Sequence, residues 1–113
     1  MKKVNFTVFE RLTIIELFGE IGKTNSIKMR QVFKIIDILD LTELQRKKIG
    51  FKQTPAGFGW ESEKSKKIDR LEFEFEDADF DLIKQTVNEK DRRDDLPVHR
   101  LVPPMVDKIR DIE

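Results

Sequence analysis

The sequence predicts a single α+β domain in which helices are followed by a β-hairpin and a third strand, a winged-helix-like order, with C-terminal helices after them. Three observations support this fold class. Helix-start patterns recur through the first half of the chain. A turn sequence joins two short aromatic runs between residues 51 and 61. Apolar and charged side chains then alternate at 71–76, which is typical of a half-buried strand.

Two of the three predicted N-terminal helices begin with a capping box. In this pattern a threonine hydroxyl accepts a hydrogen bond from the amide three residues on, and a Glu or Gln side chain returns to the threonine amide. Thr7 starts such a pattern for a helix over 8–20, and Thr42 starts another for a short helix over 43–49. Gly50 is placed to end the second of these helices, because glycine adopts the left-handed conformation without strain.

The remaining N-terminal helix is predicted over residues 27–39. Thr24, Asn25 and Ser26 precede it, and all three are good N-cap residues. This segment is rich in apolar residues, so we expect it to be the most buried helix of the domain. The stripe expected to face the core consists of Met29, Val32, Phe33 and Ile36.

The hairpin is predicted from the chemistry of its turn, residues 54–57. Proline presets φ at the second turn position, and glycine tolerates a left-handed conformation at the fourth. The flanking strands are then expected at about 51–54 and 58–61. By the two-residue period of a strand, Phe58 and Trp60 share one face.

The chain after the hairpin is predicted to alternate between polar and structured segments. Residues 62–67 read as a polar loop, and a helix is expected at about 79–90. A charged linker at 88–95 then leads to a short C-terminal helix that starts near Pro104. The alternating strand at 71–76 lies between this loop and the helix at 79–90. We expect its apolar face to pack against the N-terminal helices, and that face consists of Leu71, Phe73 and Phe75.

Composition excludes several classes of protein. The chain has no cysteine, so it has no disulfide, thiolate metal site or cysteine nucleophile, and it suits a reducing cytoplasm. No apolar run approaches the roughly 18 residues that a membrane span needs. Glu10 and Arg11 interrupt the first apolar stretch, so we expect no signal peptide and no membrane partner.

No recognisable catalytic or metal-binding motif is present. Asp77, Asp79 and Asp81 match the first ligand positions of an EF-hand loop, but Leu82 and Asn88 occupy positions where that loop needs glycine and glutamate. The solitary histidine, His99, has no cysteine or second histidine with which to form a usual zinc site. We therefore expect no enzyme activity, no metal and no cofactor.

Charge is unevenly distributed although the net charge is zero. Residues 43–70 carry eight basic and four acidic side chains, whereas residues 71–95 carry four basic and ten acidic ones. An alternative function is therefore winged-helix-like nucleic-acid binding through helix 43–49 and the loop at 62–67. The isoelectric point of about 6.6 predicts that such binding is weak. Its candidate residues are Arg46, Lys47, Lys48, Lys52, Lys64, Lys66 and Lys67.

The favoured function is binding of a protein partner. Phe58 and Trp60 are the candidate anchors, because aromatic side chains dominate the energetics of protein interfaces. The alternative is that both rings pack on the domain's own helices. The sequence does not determine the oligomeric state.

Five short pieces occur in a fixed order along the chain: Glu10-Arg11-Leu12, Leu17-Phe18 through Gly22, Phe51-Lys-Gln53, Gly57 to Trp60, and Leu71 to Phe75. This order resembles that of small accessory proteins encoded by tailed phages and prophages. The likeness extends over about residues 8–102, whereas Pro103-Pro104 departs from a pattern that has a longer final helix. It implies no activity and assigns no site residue. It implies a protein of the host cytoplasm with an accessory role in infection. Our favoured hypothesis in that setting is that the chain binds a host or phage protein and modulates a host machine or a defence system.

Overall fold

The structure, a computed structural model, describes residues 1–112 and has an α+β fold. Six α-helices and two small antiparallel sheets lie within these residues. In chain order the elements are β1 (Lys2–Asn5), α1 (Val8–Gly19), α2 (Ser26–Leu39), α3 (Glu43–Ile49), β2 (Lys52–Thr54), β3 (Gly57–Gly59), α4 (Ser62–Ser65), a 3-10 turn (Ile68–Arg70), β4 (Glu72–Phe75), α5 (Asp77–Arg92) and α6 (Val102–Asp111).

Both predicted capping boxes are present. The Thr7 hydroxyl accepts a hydrogen bond from the Glu10 amide at 3.2 Å, and the Glu10 carboxylate accepts one from the Thr7 amide at 2.9 Å. Thr42 and Gln45 make the same two contacts at the start of α3, each at 3.1 Å. Gly50 ends α3 with φ of 66°. These local signals therefore marked the ends of the helices correctly.

The third strand pairs with the N-terminal strand and does not extend the hairpin. In this sheet Val4 of β1 lies opposite Phe73 of β4. The hairpin strands β2 and β3 form a separate sheet, with Gln53 opposite Phe58. The physical reason is that β1 and β4 each turn a buried side chain, Val4 and Phe75 respectively, toward the same core.

The predicted apolar face of the third strand is buried only at one end. Phe75 is 1% exposed and packs near Phe6 and Phe80, with ring centroids 6.3 and 6.2 Å away. Phe73 is half-buried, and Leu71 is 40% exposed. Leu71 lies before β4 and closes the 3-10 turn, so it is outside the alternation that the sequence suggested.

The expectation that the second helix is the most buried is wrong. Of its apolar residues only Val32, Ile35 and Leu39 are buried, whereas Met29 is 45% and Phe33 57% exposed. Apolar residues of α2 cover a wider arc than the core can contact, because a helix packed on one side buries only one stripe. The part of the predicted stripe formed by Met29 and Phe33 therefore faces outward.

The segment predicted as a polar loop at 62–67 contains the short helix α4. The buried Ser65 hydroxyl donates to the Asp69 carboxylate at 2.9 Å. The other oxygen of Asp69 accepts a hydrogen bond from the Val8 amide at the start of α1, at 2.8 Å. The Asp69 carboxylate therefore ties this segment to the start of α1. No sequence pattern predicts this long-range contact.

The C-terminal half also differs in its boundaries. Helix α5 continues through Arg92, so most of the segment 88–95 expected to be a linker is helical. Helix α6 begins at Val102, two residues before Pro104. Both prolines lie in its first turn. Amides in that turn have no hydrogen-bond acceptor within the helix, so the lack of an N–H group in proline costs nothing there.

The apolar side chains form two clusters. The larger one joins β1, α1, α2, β4, α5 and α6. The smaller one, here called the hairpin cluster, consists of the buried Val8, Leu41, Ile49 and Ile68 with Leu12, Phe51 and Trp60 packed against them.

Arg11 connects α1 to the segment between α2 and α3. Its side chain is 2% exposed, Nε donates to the Leu39 carbonyl at 2.7 Å, and Nη2 donates to the Asp40 carbonyl at 2.8 Å. Nη2 also donates to Oε1 of Gln45 at 3.2 Å, and the guanidinium lies 4.9 Å from the ring centroid of Phe73. Burial lowers the pKa of Arg11, while the nearby acidic side chains act in the opposite direction.

We predict that substitutions along β4 have unequal effects on stability. Phe75→Ala should lower the free energy of unfolding by about 3–5 kcal/mol, because it empties a closed site in the larger cluster. Leu71→Ala should cost less than about 1 kcal/mol, since that side chain is partly in water. Urea unfolding followed by circular dichroism measures both, and equal costs would contradict the observed packing.

Candidate functional site

The hairpin is a small platform fastened to α3. Each of its strands is three residues long, and Gly57 in the connecting turn has φ of 130°, a conformation that other residues rarely adopt. A sheet this small does not stabilise itself. It is held by hydrogen bonds at both ends: the Phe51 amide donates to the Arg46 carbonyl at 2.9 Å, and the Glu61 amide donates to the Ile49 carbonyl at 2.8 Å.

The two predicted anchors occupy different environments on this platform. Trp60 is half-buried against the hairpin cluster, whereas Phe58 is 49% exposed. The Phe58 ring stacks on Phe51 with centroids 5.6 Å apart and an angle of 27° between the rings. The Arg46 guanidinium lies 5.5 Å from the centroid of the Phe51 ring. Trp60 therefore supports the platform, and Phe58 is presented on its surface.

A groove of about 220 Å³ separates the hairpin from α1. On the side of the groove opposite the hairpin, the His99 ring stacks on Phe9 with centroids 4.3 Å apart and an angle of 30°. Nδ1 of His99 accepts a hydrogen bond from the Leu101 amide at 3.1 Å, which orients the imidazole. The groove is lined by Phe9, Leu12, Thr13, Glu16, Phe58, Trp60 and His99.

Sequence reasoning missed the residues on that side of the groove. Phe9 and Leu12 belong to a broad apolar face of α1, and each is partly buried against one of the two clusters. The breadth of that face is the one signal that could have indicated them. His99 lies in an irregular segment between α5 and α6, so no periodicity predicts its position against Phe9.

The seven basic candidates divide into two groups. Three form salt bridges with acidic neighbours: Arg46 with Asp40 at 2.9 Å, Lys64 with Glu61 at 2.7 Å, and Lys66 with Glu63 at 2.9 Å. The hydrogen bond from Lys64 is the largest cause that holds the pKa of Glu61 below its usual value. The other four are exposed and make no salt bridge within residues 1–112; they are Lys47, Lys48, Lys52 and Lys67.

Three of these four lysines lie in the hairpin or directly before it in the chain. Lys52 lies in β2 opposite Gly59, and Lys47 and Lys48 lie in the last turn of α3, which leads directly into the hairpin. We call these three lysines the basic margin and, together with the three hairpin aromatics, the hairpin surface. Its residues are Phe51, Phe58 and Trp60 with Lys47, Lys48 and Lys52.

The lining of the groove suits recognition of an apolar side chain. Aromatic and aliphatic side chains line it, together with a hydroxyl, an imidazole and a carboxylate that can make polar contacts. Among residues 1–112, no group of three or more His, Asp or Glu side chains is arranged to hold a metal ion.

Comparison of the chain with protein-family models, curated proteins and solved structures finds no match. Within the described part of the chain, none of the helices has the length and apolar character needed to cross a bilayer.

Proposed function

We propose that this chain is a non-enzymatic binding protein that docks an acidic segment of a partner protein on the hairpin surface. The observation that carries the proposal is the position of Phe58. Its ring is half in water at the outer face of a hairpin whose other aromatics are packed. Buried aromatic anchors supply much of the binding energy at protein interfaces, and exposed ones in a fixed position are available to do so.

The support beneath Phe58 favours binding by a preformed site. Phe51 stacks under the ring, Trp60 packs into the hairpin cluster, and two backbone hydrogen bonds tie the hairpin to α3. A partner therefore does not have to order this surface, and the entropy cost of association is lower. The adjacent groove accepts an apolar side chain of the partner next to Phe58.

The basic margin and the strand edges indicate the chemistry of the partner. Lys47, Lys48 and Lys52 carry positive charge that no salt bridge within residues 1–112 neutralises, so acidic side chains around the apolar anchor complement it. The hairpin is a two-stranded sheet, so each strand has one edge without a neighbouring strand. An extended peptide can pair with such an edge through its backbone.

A selection from a library of displayed random peptides tests this proposal. We expect enriched peptides to carry an aromatic or branched aliphatic residue flanked by Asp or Glu. Phe58→Ser should weaken their binding by at least about tenfold, because it removes the anchor. Ile27→Ser is the matched control, since Ile27 is 77% exposed but lies on α2; it should leave affinity unchanged. Fluorescence of Trp60, the sole tryptophan, reports binding directly.

Two outcomes would contradict the proposal. One is a set of enriched peptides without acidic residues whose affinity is indifferent to Lys47→Glu with Lys48→Glu. The other is an equal loss of peptide affinity in Phe58→Ser and Ile27→Ser, which would show that peptide binding does not depend specifically on the hairpin. Thermal unfolding of each variant establishes that the fold is intact, and both substituted side chains are exposed enough for that to be expected.

The resemblance to phage accessory proteins adds a proposed setting. In that setting the partner is a phage or bacterial host protein in the host cytoplasm, and binding modulates a host machine or a defence system. Capture from a bacterial lysate that is sensitive to Phe58→Ser and insensitive to nuclease supports a protein partner over a nucleic acid.

A second candidate is winged-helix-like nucleic-acid binding, favoured by the four lysines that make no salt bridge within residues 1–112. With Lys47, Lys48, Lys52 and Lys67 as phosphate contacts, the log–log dependence of duplex DNA affinity on salt should have a slope no steeper than about −4. Binding should then be undetectable at about 0.15 M salt. A fluorescence anisotropy titration at several salt concentrations measures this. Tight, sequence-specific binding at that salt concentration would make nucleic-acid binding the better assignment.

A further inference from the structure

The outward face of α2 carries an apolar stripe that the domain's own core covers only in part, at Ile36. Met29 is 45% exposed, Phe33 is 57% exposed and Ile36 is half-buried. Their spacing of four and then three residues places them on one line along the helix, beside the buried line of Val32 and Leu39. We call Met29, Phe33 and Ile36 the α2 outer stripe. Its spacing is that of a helix seam that packs on another helix.

Two charges of opposite sign border this stripe on its exposed side. Arg30 and Asp37 are separated by seven residues, so they lie on the same edge of the helix, two turns apart. Both are exposed, and neither forms a salt bridge within the described residues 1–112. The opposite edge of the stripe is occupied by Val32 and Leu39, which are buried in the domain's own core.

We propose that the α2 outer stripe is a homodimer interface in which α2 packs antiparallel against α2 of a second copy. Such a dimer has a two-fold axis that is perpendicular to α2 and passes near the middle of the helix. The axis places each edge of one α2 helix against the same edge of the other α2 helix, and the two helices run in opposite directions. Arg30 of each copy then faces Asp37 of the other, so two ion pairs form. Phe33 of each copy packs on Ile36 of the other between these pairs.

The charge pattern selects this arrangement over a parallel one. In a parallel pair, the charged edge of one helix would face the edge of the other that is buried in its domain, and Arg30 and Asp37 would have no partner. In the antiparallel pair, a second copy supplies both opposite charges at the required positions. The charged edge of α2 is therefore complementary to the same edge of a second copy. The stripe contains only three apolar residues, so the dimer is expected to be weak and concentration-dependent.

This inference is independent of the proposed function, because α2 and the hairpin are separate elements and the hairpin surface contains no α2 residue. A dimer of this kind presents two hairpin surfaces. Partners with two acidic segments would then bind with an affinity gain from bivalency.

Charge exchange with sedimentation analysis of the full chain tests the dimer. Wild-type protein should shift from monomer to dimer as concentration rises. Arg30→Asp alone and Asp37→Arg alone should each weaken the dimer by about tenfold, because each replaces two attractive pairs with two repulsive ones. An equimolar mixture of these two variants should recover the wild-type affinity, since position 30 of either copy then faces a side chain of opposite charge at position 37 of the other. The double variant should recover it as well, for the same reason.

Phe33→Asp tests the apolar contact made by the α2 outer stripe. This variant should remain monomeric at every protein concentration measured, and thermal unfolding checks that it is folded. Three results would overturn the inference. They are a wild-type chain that is monomeric up to about 1 mM, a dimer that Phe33→Asp leaves intact, and a mixture of the two charge variants that is no more dimeric than either alone. The charge variants alter exposed side chains only, so they decide the question even if Phe33→Asp does not fold.

Discussion

Arg11 makes the contacts on which the relative positions of the three N-terminal helices depend. Its guanidinium is buried on α1 and donates to backbone carbonyls at the end of α2 and to the capping residue Gln45 of α3. A buried cation is costly unless it is hydrogen-bonded, and the acceptors of Nε and Nη2 offset part of that cost. The ring of Phe73 adds a contact from β4. One side chain of α1 therefore contacts the end of α2, the start of α3 and a ring of β4.

The candidate binding surface follows from that placement. Helix α3 begins at the cap that Arg11 contacts and ends at Gly50, and the hairpin is attached to its last turn through Phe51 and Glu61. The hairpin has no core of its own, so its contacts with α3 and with the hairpin cluster set its orientation. The half-exposed ring of Phe58 and the neighbouring groove are consequences of this arrangement. In this account stability and recognition are linked through α3.

The parts of the fold that could be predicted from sequence are those set by local chemistry. The caps at Thr7 and Thr42 and the left-handed Gly50 need only a few consecutive residues, and all three are confirmed. The pairing of β4 with β1 could not be predicted, because alternation reveals a strand but not its neighbour. The sequence likewise predicts Phe33 in the core although it is exposed, because periodicity shows that a helix face is apolar but not what covers it. The approach of His99 to Phe9 depends on an irregular segment and has no sequence signal.

Hydrogen exchange in Arg11→Met tests the link between Arg11 and the hairpin most directly. Methionine keeps apolar volume at the site but leaves the carbonyls of Leu39 and Asp40 without their donor. The account predicts that amides of α3 and the hairpin, including those of Phe51 and Glu61, exchange faster than in the wild-type protein. Amides in the middle of α5 should lose less protection, because local opening does not require unfolding of the larger cluster. Equal acceleration in α5 and the hairpin, or unchanged exchange at Glu61, would contradict it.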